Sequence, residues 1–92
     1  MESFFTVSQY DYHYLLGLLT EPEVQALLRE DVRRSGEKVE VCLKEFGVTV
    51  LMDSMEDMLQ ELRFNHRDSP HLGERLERLY DQIYEQTTRQ IR

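Results

Sequence analysis

Glu37-Lys38-Val39-Glu40-Val41-Cys42-Leu43-Lys44-Glu45-Phe46-Gly47-Val48-Thr49-Val50-Leu51-Met52-Asp53 is the stretch on which the fold class turns. Its apolar residues recur every second position. Val39, Val41 and Leu43 alternate with Glu40, Cys42 and Lys44, then Val48, Val50 and Met52 alternate with Thr49, Leu51 and Asp53. Period two with many β-branched residues predicts strands, and Glu45-Phe46-Gly47 predicts the turn of a β-hairpin near residues 44–47. A lone hairpin is marginal in water, so one face must pack on helices.

Upstream the period is helical. Ser8 to Leu19 predicts a short helix capped by Ser8, with Asp11 in its first turn. Phe4, Phe5 and Val7 precede it as an extended lead-in or a hydrophobic staple. Thr20-Glu21-Pro22-Glu23 predicts a second start, with Thr20 as the cap and Pro22 in the first turn. That helix is expected to run to about Arg34, to bury Val24, Leu27, Leu28 and Val32, and to end at Gly36 as its left-handed C′ residue.

Downstream, Asp53 or Ser54 is expected to cap a third helix whose inner face carries Met55, Met58, Leu59 and Leu62. Asn65 to Ser69 is a polar loop, and Ser69-Pro70 opens a fourth helix that runs to about Gln90. Leu72, Leu76, Leu79 and Ile83 form its apolar stripe. The reading is an α+β fold of about four helices and one hairpin, in the order α-α-β-β-α-α, with the hairpin packed on a helical layer. Residues 1–92 are expected to form one domain, since no linker or repeat divides them.

The net charge of −7 arises from 18 acids and 11 bases. It is spread along the chain: six acids against three bases in residues 1–36, three against two in 37–52, and nine against six in 53–92. No basic block offers itself to phosphate backbones or anionic lipid, so neither nucleic acid nor a membrane is an expected partner. The one cysteine forms no internal disulfide, and no signal-like or membrane-length apolar run is visible. A cytoplasmic protein is the expectation.

Candidate chemistry is sparse. His66, Asp68 and His71 lie within six residues but match no metal signature. Cys42 would need a neighbouring cation or helix N-terminus to become a thiolate. The glycines, at 17, 36, 47 and 73, are isolated and build no phosphate loop. No catalytic, cofactor or metal site is expected, and the protein is read as a non-enzyme. Two helices followed by a hairpin admit a winged-helix-like nucleic-acid-binding regulator, in which helix 21–34 would present Arg29, Arg33 and Arg34 to DNA. That helix also carries Glu21, Glu23, Glu30 and Asp31. An acidic inhibitor of a DNA-binding enzyme is a further alternative, although Arg75, Arg78, Arg89 and Arg92 interrupt any row of carboxylates on the last helix.

The aromatic residues carry the functional reading. At 100° per residue, Tyr12, Leu15, Leu16 and Leu19 share one side of helix 8–19, while Tyr10, Tyr14 and Leu18 form a second apolar face. One face suffices for a surface helix. On the last helix, Tyr80, Tyr84 and Ile91 flank the leucine stripe. Tyrosine suits sites with one dry and one wet side. Tyr10, Tyr14, Leu18, Tyr80, Tyr84 and Ile91 are therefore the candidate interface residues of a small acidic protein-interaction or regulatory module. It is expected to act through an aromatic-aliphatic surface and to form a homodimer.

Overall fold

The chain runs β1 (Ser3–Ser8), α1 (Gln9–Leu18), α2 (Pro22–Glu30), β2 (Val32–Ser35), β3 (Lys38–Leu43), α3 (Gly47–Asn65), a 3-10 turn (Pro70–Gly73) and α4 (Glu74–Gln90). This is a computed structural model that describes residues 2–44, 46–65 and 70–90. The α+β class, the four helices and a hairpin on a helical layer are present as the sequence implies. The strands, however, are three rather than two. They form an antiparallel sheet in the order β1-β3-β2.

The first half of the 37–53 stretch is the central strand. Val39, Val41 and Leu43 are buried, and Glu40 and Cys42 occupy the half-covered opposite face. The second half is a correction: Val48 to Asp53 belongs to α3. Val48, Val50, Leu51 and Met52 are apolar at nearly consecutive positions, so they satisfy period two and the helical period alike. What decides is the continuation. Leu51, Met52, Met55 and Leu59 are all buried, and that spacing is helical. Burial of one long stripe outweighs the strand preference of two valines and a threonine. Ser54, expected as a cap, lies inside α3 and donates to Glu21 Oε1 at 3.1 Å. Gly47 lets α3 begin close in, because a Cβ there would stand 3.3 Å from both Leu27 Cδ2 and Leu43 Cβ.

The partner of β3 in the hairpin comes from before it. The second helix ends at Glu30, not Arg34: Asp31 is extended (φ −135°, ψ 90°) and Val32 pairs with Val41. Gly36 is left-handed (φ +60°) as expected, but it serves the two-residue turn Gly36-Glu37 of the β2–β3 hairpin and not a helix end. Phe4, Phe5 and Val7 are not merely a lead-in. They form β1, paired with β3 from Ser3↔Leu43 to Ser8↔Lys38.

Ser8 does cap α1, its Oγ accepting from the Asp11 N–H at 3.1 Å. Thr20 does not cap α2. Glu21 holds that position without a side-chain cap, and Pro22 opens the helix. Pro70 opens a 3-10 turn, and α4 starts at Glu74. Phe5, Val7 and the inward residues of β3 share one core with Leu15, Leu19, Val24, Leu28, Leu51, Met55, Leu76, Leu79 and Ile83. Among the described residues no helix is long and apolar enough to cross a membrane.

Candidate functional site

Leu76, Leu79 and Ile83 fix the orientation of α4 by sinking into the core. Tyr80 and Tyr84, four residues apart, then share a flank that turns toward α3. Their rings stack with centroids 6.3 Å apart and planes 8° from parallel. The Tyr80 hydroxyl donates to Glu56 Oε1 at 2.6 Å. That bond to a carboxylate, followed by desolvation, pushes the Tyr80 phenol up to about 12. Beside the rings lies a groove of about 260 Å³, lined from the α3 side by Val48 and Met52 and from the α4 side by Thr87. The Thr87 hydroxyl donates to the Ile83 carbonyl at 2.7 Å and so demands nothing of the groove. Tyr84 remains 55% exposed.

The aromatic face of α1 is arranged differently. Tyr14 is half-buried, and the Arg75 guanidinium of α4 lies 4.4 Å from its ring centroid. Arg75 also donates to Asp11 Oδ1 from Nη2 at 3.1 Å and from Nε at 3.2 Å. Burial raises the Tyr14 phenol, with Arg75 opposing the shift. Leu18 packs against the core. Tyr10 is 68% exposed. Arg75 and Tyr80 are five residues apart, about 140° around the helix. The structure thus brings Tyr80 and Tyr84 together and covers Tyr14 with the protein's own arginine, on a different flank of α4. Ile91 lies outside the described residues.

Val48, Met52 and Glu56, with Thr49 and Asp53 between them, form the α3 wall of the groove and were not among the interface residues singled out from sequence. Their i, i+4 spacing was the available signal, hidden by the strand reading of 48–53.

Other chemistry is weak. Burial first, then the Asp31 and Glu40 carboxylates, raise the Cys42 thiol and keep it protonated and a poor nucleophile. His71 is exposed and sits 3.2 Å from Glu74 Oε1. His66 and Asp68 lie outside the described residues. Among the described residues no three His, Cys, Asp or Glu side chains gather closely enough to hold a metal ion.

The elements of a helix-turn-helix with a wing are present, α1 and α2 followed by β2–β3. Yet Arg33 and Arg34 lie on β2 rather than on the second helix, whose charged residues are Glu23, Arg29 and Glu30. On α4, Glu74, Glu77 and Asp81 share their surface with Arg78, and Glu77 pairs with Arg63 at 3.3 Å. This breaks the carboxylate row that a nucleic-acid mimic would present.

The chain matches no protein-family model, no curated protein and no solved structure.

Proposed function

We propose that this is a non-enzymatic protein-interaction module that works through the Tyr80–Tyr84 flank of α4 and the groove beside it, and that its first partner is a second copy of itself. The observation that carries the reading is the stacked tyrosine pair, with Tyr84 more than half exposed beside Val48 and Met52. Stacked rings present a large rigid surface at low entropic cost, which is why tyrosine is enriched at interfaces. A twofold axis near Tyr84 would lay this patch against itself, as closed dimers do. Light scattering should give twice the chain mass for the parent and the chain mass for Tyr84→Arg, with unchanged circular dichroism. A parent that stays monomeric at high concentration rules out the dimer.

A nucleic-acid-binding regulator is the second reading, favoured by the order α1, α2, hairpin and by the arginines of β2. It is opposed by the acids of α2, which would meet phosphate with like charge. A gel shift with duplex DNA, lost in Arg33→Glu, would establish it.

A further inference from the structure

The two outer strands of the sheet have unlike edges. The register and the Cys42 N–H bond to the Asp31 carbonyl (2.9 Å) fix which residues β2 spends on β3: Asp31, Arg33 and Ser35. Val32 and Arg34 therefore turn their N–H and C=O groups outward. The same alternation makes Thr6 an outward residue of β1. There the Gln86 side chain of α4 closes the edge, accepting from the Thr6 N–H at 2.8 Å and donating to its carbonyl at 3.0 Å. Among the described residues no such clasp covers Val32 or Arg34.

The free edge borders a groove of about 410 Å³ lined by Tyr12, His13, Leu16, Arg29, Val32 and Arg34. Among the described residues no carboxylate lines it, in a chain of net charge −7. The neighbouring acids face elsewhere: Glu30 and Asp31 line a different groove with Cys42, and Glu30 lies 3.7 Å from Lys44. Tyr12 forms the floor, its hydroxyl held by the Leu28 carbonyl at 2.7 Å.

We infer that the β2 edge docks an extended acidic segment of a partner protein as a fourth strand, its backbone pairing with Val32 and Arg34 and its carboxylates meeting Arg29 and Arg34. Strand addition of this kind takes affinity from main-chain bonds and selectivity from alternate side chains. Charge complementarity sets the partner's sign. A second copy centred on Arg33 or on Arg34 is a poor occupant, because each of those antiparallel registers sets one arginine against its own copy, and like charges across a ladder repel. The edge shares no residue with the Tyr80–Tyr84 groove, so the two surfaces can be occupied together.

The test is fluorescence anisotropy of a short fluorescein-labelled peptide alternating glutamate with threonine, beside its glutamine analogue and a labelled DNA duplex. The acidic peptide binds saturably, and the neutral analogue binds about tenfold more weakly. Arg34→Pro removes an N–H that no strand among the described residues uses, and prolines are tolerated with that group facing outward on an edge. It keeps the parent circular dichroism and weakens binding about tenfold. Arg29→Glu, which leaves every ladder bond in place, abolishes binding. Amide exchange at Val32 and Arg34 slows when the peptide is bound. Four results would each overturn the inference: no peptide binding, equal binding of the neutral analogue, unchanged binding by both variants, or duplex bound in preference to peptide. A dimer lost in Arg34→Pro would assign the edge to a second copy instead.

Discussion

Tyr14 of α1 lies against α4 and Tyr84 belongs to it, and the protein treats the two in opposite ways. Tyr14 is capped by Arg75, which is itself held by Asp11, so a ring on α1, a cation on α4 and an acid on α1 close over one another. Tyr84 stacks on Tyr80 beside Val48 and Met52 and is 55% exposed. Two aromatic flanks that look alike as sequence thus divide into an internal seam between helices and an outward surface. An aromatic stripe is therefore an interface candidate only after the protein's own cations have been placed. The −7 balance leaves few of them, and Arg75 is committed to Tyr14.

The largest expected contrast is in stability. Removing a fully buried aromatic ring costs about 3–5 kcal/mol. Tyr14 is half-buried, so Tyr14→Ala should cost roughly half of that, about 2 kcal/mol. At concentrations low enough that the chain is monomeric, Tyr84→Ala should stay within about 0.5 kcal/mol, as surface changes do. Urea unfolding of the two variants measures both. Equal losses would erase the distinction between seam and surface.

Arg75 is expected to contribute on a smaller scale. Its contact with the Tyr14 ring and its exposed pair with Asp11 together contribute on the order of 1 kcal/mol. Arg75→Ala should lose that amount, and Arg75→Lys should recover only part of it, because an ammonium neither stacks on the ring as a plane nor presents a fork to Asp11. In Arg75→Ala, Tyr14 should also become more accessible to iodination than it is in the parent, while Tyr84 is unchanged. Full recovery by lysine would show that charge alone, without ring packing, closes the seam.

How much of this was legible beforehand follows from where each signal resides. Ser8 as a cap, Val39-Val41-Leu43 as a buried strand face, and Leu76-Leu79-Ile83 as a helix stripe were readable because each is a local pattern with one solution. Gly36 announced a left-handed residue but not which element required it. Val48 to Asp53 misled because apolar residues at almost every position fit either period. Val32 misled because it falls on the extrapolated stripe of α2, while its real partner, Val41, is supplied by the sheet. The Tyr14–Arg75 seam and the Gln86 clasp on Thr6 join residues 61 and 80 positions apart, and no local period encodes such contacts. The candidate surface was legible in its tyrosines and illegible in its α3 wall, for the same reason that α3 was begun too late.

The smallest effect separates the two flanks by proton chemistry. Tyr14 and Tyr80 both titrate above the usual phenol, yet for different reasons. Burial raises Tyr14 against the pull of Arg75, whereas the hydrogen bond to Glu56 leads the causes at Tyr80. Glu56→Gln removes the carboxylate and should bring the Tyr80 titration down from about 12 toward 10, leaving Tyr14 in place. Arg75→Ala should do the reverse, moving Tyr14 further up without touching Tyr80. Tyrosinate absorbance across the alkaline range, taken as the difference between each protein and its Tyr14→Phe or Tyr80→Phe counterpart, reads both shifts. The sign for stability follows from Tyr80 being raised in the folded state. Its bond to Glu56 stabilises fully below the unfolded phenol value near 10 and is lost as pH rises through the folded value of about 12. The site is partly exposed, so the effect is small. Unfolding midpoints of the parent and of Tyr80→Phe should differ slightly at pH 9 and converge by about pH 12. A gap that stays constant over that range would mean that the Tyr80 hydroxyl adds nothing through its proton, and that the α3–α4 flank is held by packing alone.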